Sequence, residues 1–173
     1  MRLGVIIGRF QVHKLTEGHL YLLFTAKAEC DRVLVLLGSA NQPRSIRNPL
    51  TASERMRLFS DLGVSLGWVE DRPADDRAWS KHVDSVISSY IDGLRQNANY
   101  RKTKVEVRLY HGRDSFAKHY MGEWRDSLKY IDPLRKLISG TDTRKRLLDG
   151  LRNSEDYRAG IIVGVLTTLG GQS

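Results

Sequence analysis

Arg9, His13, Lys14, Thr16 and His19 fall within one stretch, GRFQVHKLTEGH (8–19), which joins an apolar run, LGVII (3–7), to a helix-like segment, GHLYLLFTAKAE (18–29). Cations, a hydroxyl and imidazoles are groups that grip anions, and a polar connection between two hydrophobic segments is a common place for a site. Three later connections have the same character. GSANQPRSIRNPLTASER (38–55) follows RVLVLLGSA (32–40), HGRDSF (111–116) follows KVEVRLYHG (104–112), and ISGTDTRKR (138–146) follows LKYID (128–132). Together they offer Arg9, Lys14, His19, Arg44, Arg47, Arg113, Arg144, Lys145 and Arg146. A loop that enters a helix presents free N–H groups and positive partial charge, so cations at several such ends point to a polyphosphate ligand. Neither GxGxxG nor GxxxxGK[ST] is present, so the phosphate site is of another kind.

Rigid elements must hold these loops. The apolar runs at 3–7 and 32–40 read as buried strands, and KVEVRLYHG and LKYID as two more. VSLGWVED (64–71) reads as extended. TASERMRLFSDLG (51–63) opens with Thr51 followed three residues on by Glu54, a capping box, and so predicts a helix. DRAWSKHVDSVISSYIDGLRQ (76–96) has helical periodicity. SFAKHYMGEW (115–124), GTDTRKRLLDGL (140–151) and a C-terminal tail at 154–173 are also read as helical. Strands alternating with helices, with near-continuous apolar strands, predict an α/β fold: a doubly wound parallel sheet with helices on both faces. There is no repeat and no domain boundary, so residues 1–173 are expected to form a single domain. RQNANYRKTK (95–104) is the expected mobile loop.

Composition narrows the partners. The formal charge of +8 asks for an anion, and arginine outnumbers lysine heavily, which suits a bidentate grip on phosphate. The single Cys30 excludes an internal disulfide and a multi-cysteine metal site, and is read as packing. MRLGVIIGRF is too short an apolar start for a signal peptide, and AGIIVGVLTTLGG (159–171) is too short and glycine-interrupted to span a bilayer. The expectation is a soluble, cytoplasmic protein with no membrane partner. Self-association into a homo-oligomer is left open by the sequence.

Thr16-Glu17-Gly18-His19 resembles the (H/T)xGH box of the nucleotidylyltransferase superfamily, and Ile138 to Arg144 (ISGTDTR) resembles its late ISxTxxR box. GRFQ (8–11), GSANQPRSIRNPLTASER, HGRDSFAKHY (111–120) and the helix start at Trp79 resemble the archaeal-type nicotinamide mononucleotide (NMN) adenylyltransferases, and more closely the transferase half of bifunctional NMN adenylyltransferase/Nudix proteins. The resemblance covers roughly residues 3 to 150, and no Nudix box is present. It implies a Rossmann-like fold of nucleotidylyltransferase type. One departure is informative. The family commonly reads GRFQPxHxGH, whereas here His13 lies six residues before His19 and the loop is two residues longer. Alignment from the C-terminal side puts Thr16 in the first position of the box and leaves His13 as a solvated loop residue.

The resemblance implies adenylyl transfer from ATP to NMN, giving NAD and pyrophosphate, with Mg²⁺ carried mainly on the ATP phosphates. It implies His19, Thr16, Arg47 and Arg144 as catalytic. Gly8, Arg9, Phe10, Gly18, Gly112, Arg113, Asp114, Ser139 and Thr141 would bind ATP. Ser39, Ala40, Asn41 and Trp79 would bind NMN, with Trp79 stacked on the nicotinamide ring. Trp79 as a core anchor is the rival reading. No protein-supplied metal site is expected. Asp75 and Asp76 are placed near ribose or ring atoms, while His82, His111 and His119 are read as structural or exposed. The alternatives are another acceptor or donor (nicotinate mononucleotide, phosphopantetheine, or CTP) and a nucleotide-sensing or nucleic-acid-binding module without turnover. No recognition-helix or aromatic RNA-binding pattern supports a nucleic-acid partner.

Overall fold

A computed structural model of the chain describes residues 1–42, 44–112 and 116–132. Five strands and three α-helices carry it: β1 (Arg2–Gly8), α1 (Glu17–Glu29), β2 (Arg32–Leu37), α2 (Ala52–Met56), β3 (Ser65–Trp68), α3 (Asp76–Arg95), β4 (Glu106–His111) and β5 (Leu128–Tyr130). All strand pairs are parallel, in the order β3-β2-β1-β4-β5.

Period-two alternation decides which face each strand residue serves. Leu3, Val5, Ile7, Leu34 and Leu36 pack with Val83, Ile87 and Ile91 of α3 on one face. Ile6, Val33, Val35 and Leu37 pack with Leu23 and Ala26 of α1 on the other. Both faces are therefore covered, as continuous apolar runs require. The chain runs β1-α1-β2, continues to β3, and returns through α3 to the far side of β1. Connections thus diverge from the carboxyl ends of β1 and β4, the crevice where such folds take ligands.

The expected capping box of α2 is present. Thr51 Oγ1 accepts from the Glu54 N–H at 3.3 Å, and Glu54 Oε2 accepts from the Thr51 N–H at 2.8 Å. That backbone N–H, with Arg44 and the Thr51 hydroxyl, pulls the Glu54 carboxyl down to about 2. Thr51→Ala should cost about 1 kcal/mol, to be read as an earlier urea midpoint with unchanged slope.

Over the described residues 116–124 the helix expected at 115–124 does not form. Only one 3₁₀ turn, Phe116–Lys118, appears there. Long-range contacts win over local propensity: Tyr120 is fully buried, its hydroxyl donates to Asp84 of α3 at 2.5 Å, and the Glu123 N–H donates to the same carboxylate at 2.9 Å. Cys30 lies just past the end of α1, where burial pushes its thiol up, beside the Tyr110 hydroxyl at 3.3 Å. The 95–104 loop is tied back by Tyr100, whose hydroxyl accepts from Arg32 at 3.0 Å. The expected helices at 140–151 and 154–173 lie outside the described residues.

Candidate active site

Two sharp turns define the site. β1 ends at Gly8, where a Cβ would meet the Phe10 ring at 2.8 Å, so only glycine lets that ring fold back. Phe10 itself has φ 47° and Ser39, just after β2, has φ 53°. Both are left-handed non-glycine residues, a strain of about 1–3 kcal/mol each that collects at functional sites. The Gly38 N–H donates to Gly8 O at 2.8 Å, which sets the turns side by side. The Phe10 ring is buried against Phe59 and His19, at 5.0 and 5.2 Å between centroids. Its expected contact with ATP is therefore left to its backbone.

Several ties hold these loops, and the sequence reading assigned none of them. The Gln11 amide exchanges two hydrogen bonds with the Leu50 backbone, at 2.8 and 3.0 Å. Ser39 Oγ donates to Asp71 at 3.0 Å, and the Asn41 side chain pairs with the Asp71 backbone at 2.9 and 3.2 Å. Arg55, 1% exposed, donates to the carbonyls of Arg9, Gly38, Ser39 and Thr51.

A cleft of about 660 Å³ opens at the carboxyl ends of the strands. Of the expected site residues it gathers Gly8, Arg9, Ser39, Arg47 and Trp79. Arg9 and Arg47 come from successive loops, are exposed, and form no ion pair among the described residues. Asp71, Asp76, Phe116, Lys118 and His119 also line the cleft. His119, expected to be structural or merely exposed, pairs with Asp76 at 3.0 Å. Ala40, Asn41 and Gly112 are not on this lining, and Asn41 is committed to Asp71. Arg113, Asp114, Ser139, Thr141 and Arg144 lie outside the described residues.

Thr16, Gly18 and His19 stand at the start of α1 and are not among the residues that line the cleft. Thr16 is the N-cap of α1, with its Oγ1 accepting from the His19 N–H at 3.4 Å. The Thr16 N–H donates to His19 Nδ1 at 3.2 Å. Nδ1 is thereby an acceptor, which assigns the proton of a neutral ring to Nε2. Burial lowers the His19 pKa below its ordinary 6.5. The unfolded chain therefore binds this proton first, so the group removes stability as pH falls below 6.5 and has no such effect above it. In an NMR titration the His19 ring should show its midpoint below 6.5. A midpoint at or above that value would contradict the burial argument.

Trp79 packs on the core and is also among the residues that line the cleft. It sits in the first turn of α3, whose N-cap Asp75 accepts from the Ala78 N–H at 2.8 Å. Its ring meets Tyr120 edge-on at 6.4 Å and packs against the core, while another part of it lines the cleft.

For a divalent metal the fit is indirect. Among the described residues no three His, Cys, Asp or Glu side chains converge as a metal site. The cleft's carboxylates, Asp71 and Asp76, are already engaged with Ser39 and His119. Such a donor set suits a metal that arrives on phosphate oxygens. Among the described residues no helix is long and apolar enough to cross a membrane.

The cytidylyltransferase-like family model matches residues 5–146. The chain belongs to this family. Among cytidylyltransferase-like relatives, the nicotinamide-nucleotide adenylyltransferase of Halobacterium salinarum is 28% identical over 155 residues, covering 87% of this chain and 77% of that one. The enzyme of the same name from Methanocorpusculum labreanum is 25% identical over 179 residues, covering 99% and 94%. The fold is shared with a bifunctional NMN adenylyltransferase/ADP ribose pyrophosphatase from Francisella tularensis, at TM-score 0.52 and 18% identity over 96% of this chain and 54% of that one. This chain thus spans about half of that structure, which has also been solved with AMP and a manganese ion. NadR protein in complex with NR has TM-score 0.55 and 16% identity, over 83% and 40%.

Proposed function

We propose that this chain transfers the adenylyl group of ATP to NMN, giving NAD and pyrophosphate. The observation that carries this reading is a pair of guanidiniums, Arg9 and Arg47, that line one cleft with Trp79 at the carboxyl ends of the strands and form no ion pair among the described residues. The names of the relatives agree with it. In the reaction an oxygen of the NMN 5′-phosphate attacks the α-phosphorus of ATP. The bond to the β-phosphate oxygen breaks, and pyrophosphate leaves with that electron pair. The attacking phosphate is already an anion near neutral pH, so no general base is needed. The work is to bring two anions together in line and to stabilise spreading charge.

Arg9, with the backbone at Gly8, Phe10 and Gly18, would hold ATP phosphates on the first loop. His19 would donate its Nε2–H to the transferring group, and Thr16, which fixes the ring by its cap, would assist through its hydroxyl. Arg47 would lie against the reacting phosphates from the second loop. Ser39 would stand at the NMN wall, with Ala40 and Asn41 supporting that loop from behind the lining, and Trp79 would lie against the pyridinium ring. Gly112, Arg113 and Asp114 would flank adenosine, and Ser139, Thr141 and Arg144 would close the phosphate site from the far side. Mg²⁺, held through ATP phosphates and water, would neutralise charge on the leaving pyrophosphate.

Incubation with ATP, Mg²⁺ and NMN should release pyrophosphate and form NAD in equal amounts. Parallel incubations with nicotinate mononucleotide, with phosphopantetheine, and with CTP as donor test the alternatives. Turnover with one of these and none with ATP and NMN would reject the assignment.

A further inference from the structure

Arg55 is the largest fully buried side chain among the described residues, and the reaction outlined above does not use it. Among the described residues its guanidinium meets, within hydrogen-bond reach, four backbone carbonyls, Arg9 at 2.6 Å, Gly38 at 2.7 Å, Thr51 at 3.3 Å and Ser39 at 3.4 Å, while the Asp71 carboxylate attracts it from farther away. Burying a cation without a hydrogen-bonded carboxylate is costly, and a position that needed only volume would be served by an apolar side chain. The carbonyls it collects are not arbitrary. The Arg9 carbonyl lies in the peptide that enters left-handed Phe10, and those of Gly38 and Ser39 lie on either side of left-handed Ser39. Strained residues persist only where their surroundings over-determine them. One planar fork thus spans the turn after β1 and the turn after β2, and each turn sends a side chain to the cleft: Arg9 from one and Ser39 from the other.

We infer that Arg55 is a positioning residue for adenylyl transfer: its guanidinium locks the two strained turns to each other and so sets Arg9 against Ser39 across the cleft. The inference deepens the NMN adenylyltransferase reading and rests on it for its kinetic readout. Arg55→Lys keeps the charge, but a single ammonium cannot reproduce the directed fork. Each half of the site still finds its own substrate, while the alignment between halves is lost. The expected result is therefore a split: kcat falls roughly 10- to 100-fold, while the KM values for ATP and NMN change little.

Two further measurements separate positioning from mere stability. Thr51→Ala removes the side-chain cap of the same helix and keeps the Thr51 carbonyl that accepts from Arg55 Nε, so at a comparable loss of Tm it should leave kcat near wild type. Hydrogen exchange should accelerate in Arg55→Lys at the amides of Val12, Gly38 and Ala40, which donate from these turns to the carbonyls of Phe10, Gly8 and Val69, and not along α3. Wild-type kcat with unchanged exchange in Arg55→Lys would overturn the inference. So would an equal kcat loss in Thr51→Ala, or failure of Arg55→Lys to fold, which would make Arg55 a folding residue. If the wild-type protein turned over no substrate, the adenylyl-transfer reading would fail, and exchange in the two turns would still decide the role of Arg55.

Discussion

Replacing His19 with alanine should lower kcat at least about 10²-fold, the scale of losing one preorganised donor to the transferring group. Two features of the structure support that expectation. Burial favours the neutral ring, and its Nδ1 is used by the Thr16 N–H, so Nε2 is left as a donor. His19→Ala also breaks half of the cap of α1, so some loss of Tm accompanies the loss of rate. Because a cap is worth about 1 kcal/mol, the variant should remain folded at assay temperature, and circular dichroism in the assay buffer checks this. His13 is exposed on the inserted part of the loop, and His13→Ala should cost far less. Were the His13 variant the slower of the two, the alignment placing Thr16 and His19 in the box would be wrong.

Trp79→Ala should have two effects, because the indole serves two surfaces. Its edge-on contact with Tyr120 and its packing on the core predict a stability loss of about 2–3 kcal/mol, less than for a fully buried tryptophan. If the indole stacks on the nicotinamide ring as proposed, its loss should weaken NMN by about 0.5–2 kcal/mol, or roughly 2- to 30-fold, since an indole face attracts a pyridinium cation. ATP should hardly be affected. Trp79→Phe separates the contributions, because it keeps a ring on Tyr120 and loses the stronger indole quadrupole. Its melting curve should stay near wild type while the KM for NMN still rises. Equal weakening of both substrates in either variant would make Trp79 a core residue only.

The parts of the molecule that were legible in the sequence share one property: they are written in neighbouring residues. Leu3, Val5 and Ile7 alternate at period two, and Thr51 and Glu54 stand three residues apart. These patterns yielded the strands, the order of strand and helix, and the end of the sheet where the polar loops collect. Arg9, Ser39, Arg47 and Trp79 were placed in the site on motif resemblance, and all four line one cleft. The segment at 115–124 misled because its helical pattern was outweighed by Tyr120 and Glu123 bonding to Asp84, some forty residues away. His119 is exposed, as read, and its partner Asp76, 43 residues distant, was not legible for the same reason.

By itself the sequence determined a parallel α/β sheet, the polar, arginine-bearing loops at the carboxyl ends of its strands and, through its motifs, the family of chemistry. Only the tertiary structure decided how the loops are held. Arg55 stands in plain view in TASER, yet its nearest acceptor is the carbonyl of Arg9, 46 residues earlier. Its other acceptors outside α2 and its cap lie 16 and 17 residues away. Every residue carries a backbone carbonyl, so no side-chain pattern announces which ones a buried guanidinium will collect. That choice is made only when the parallel register of β1 and β2 sets the two strained turns side by side.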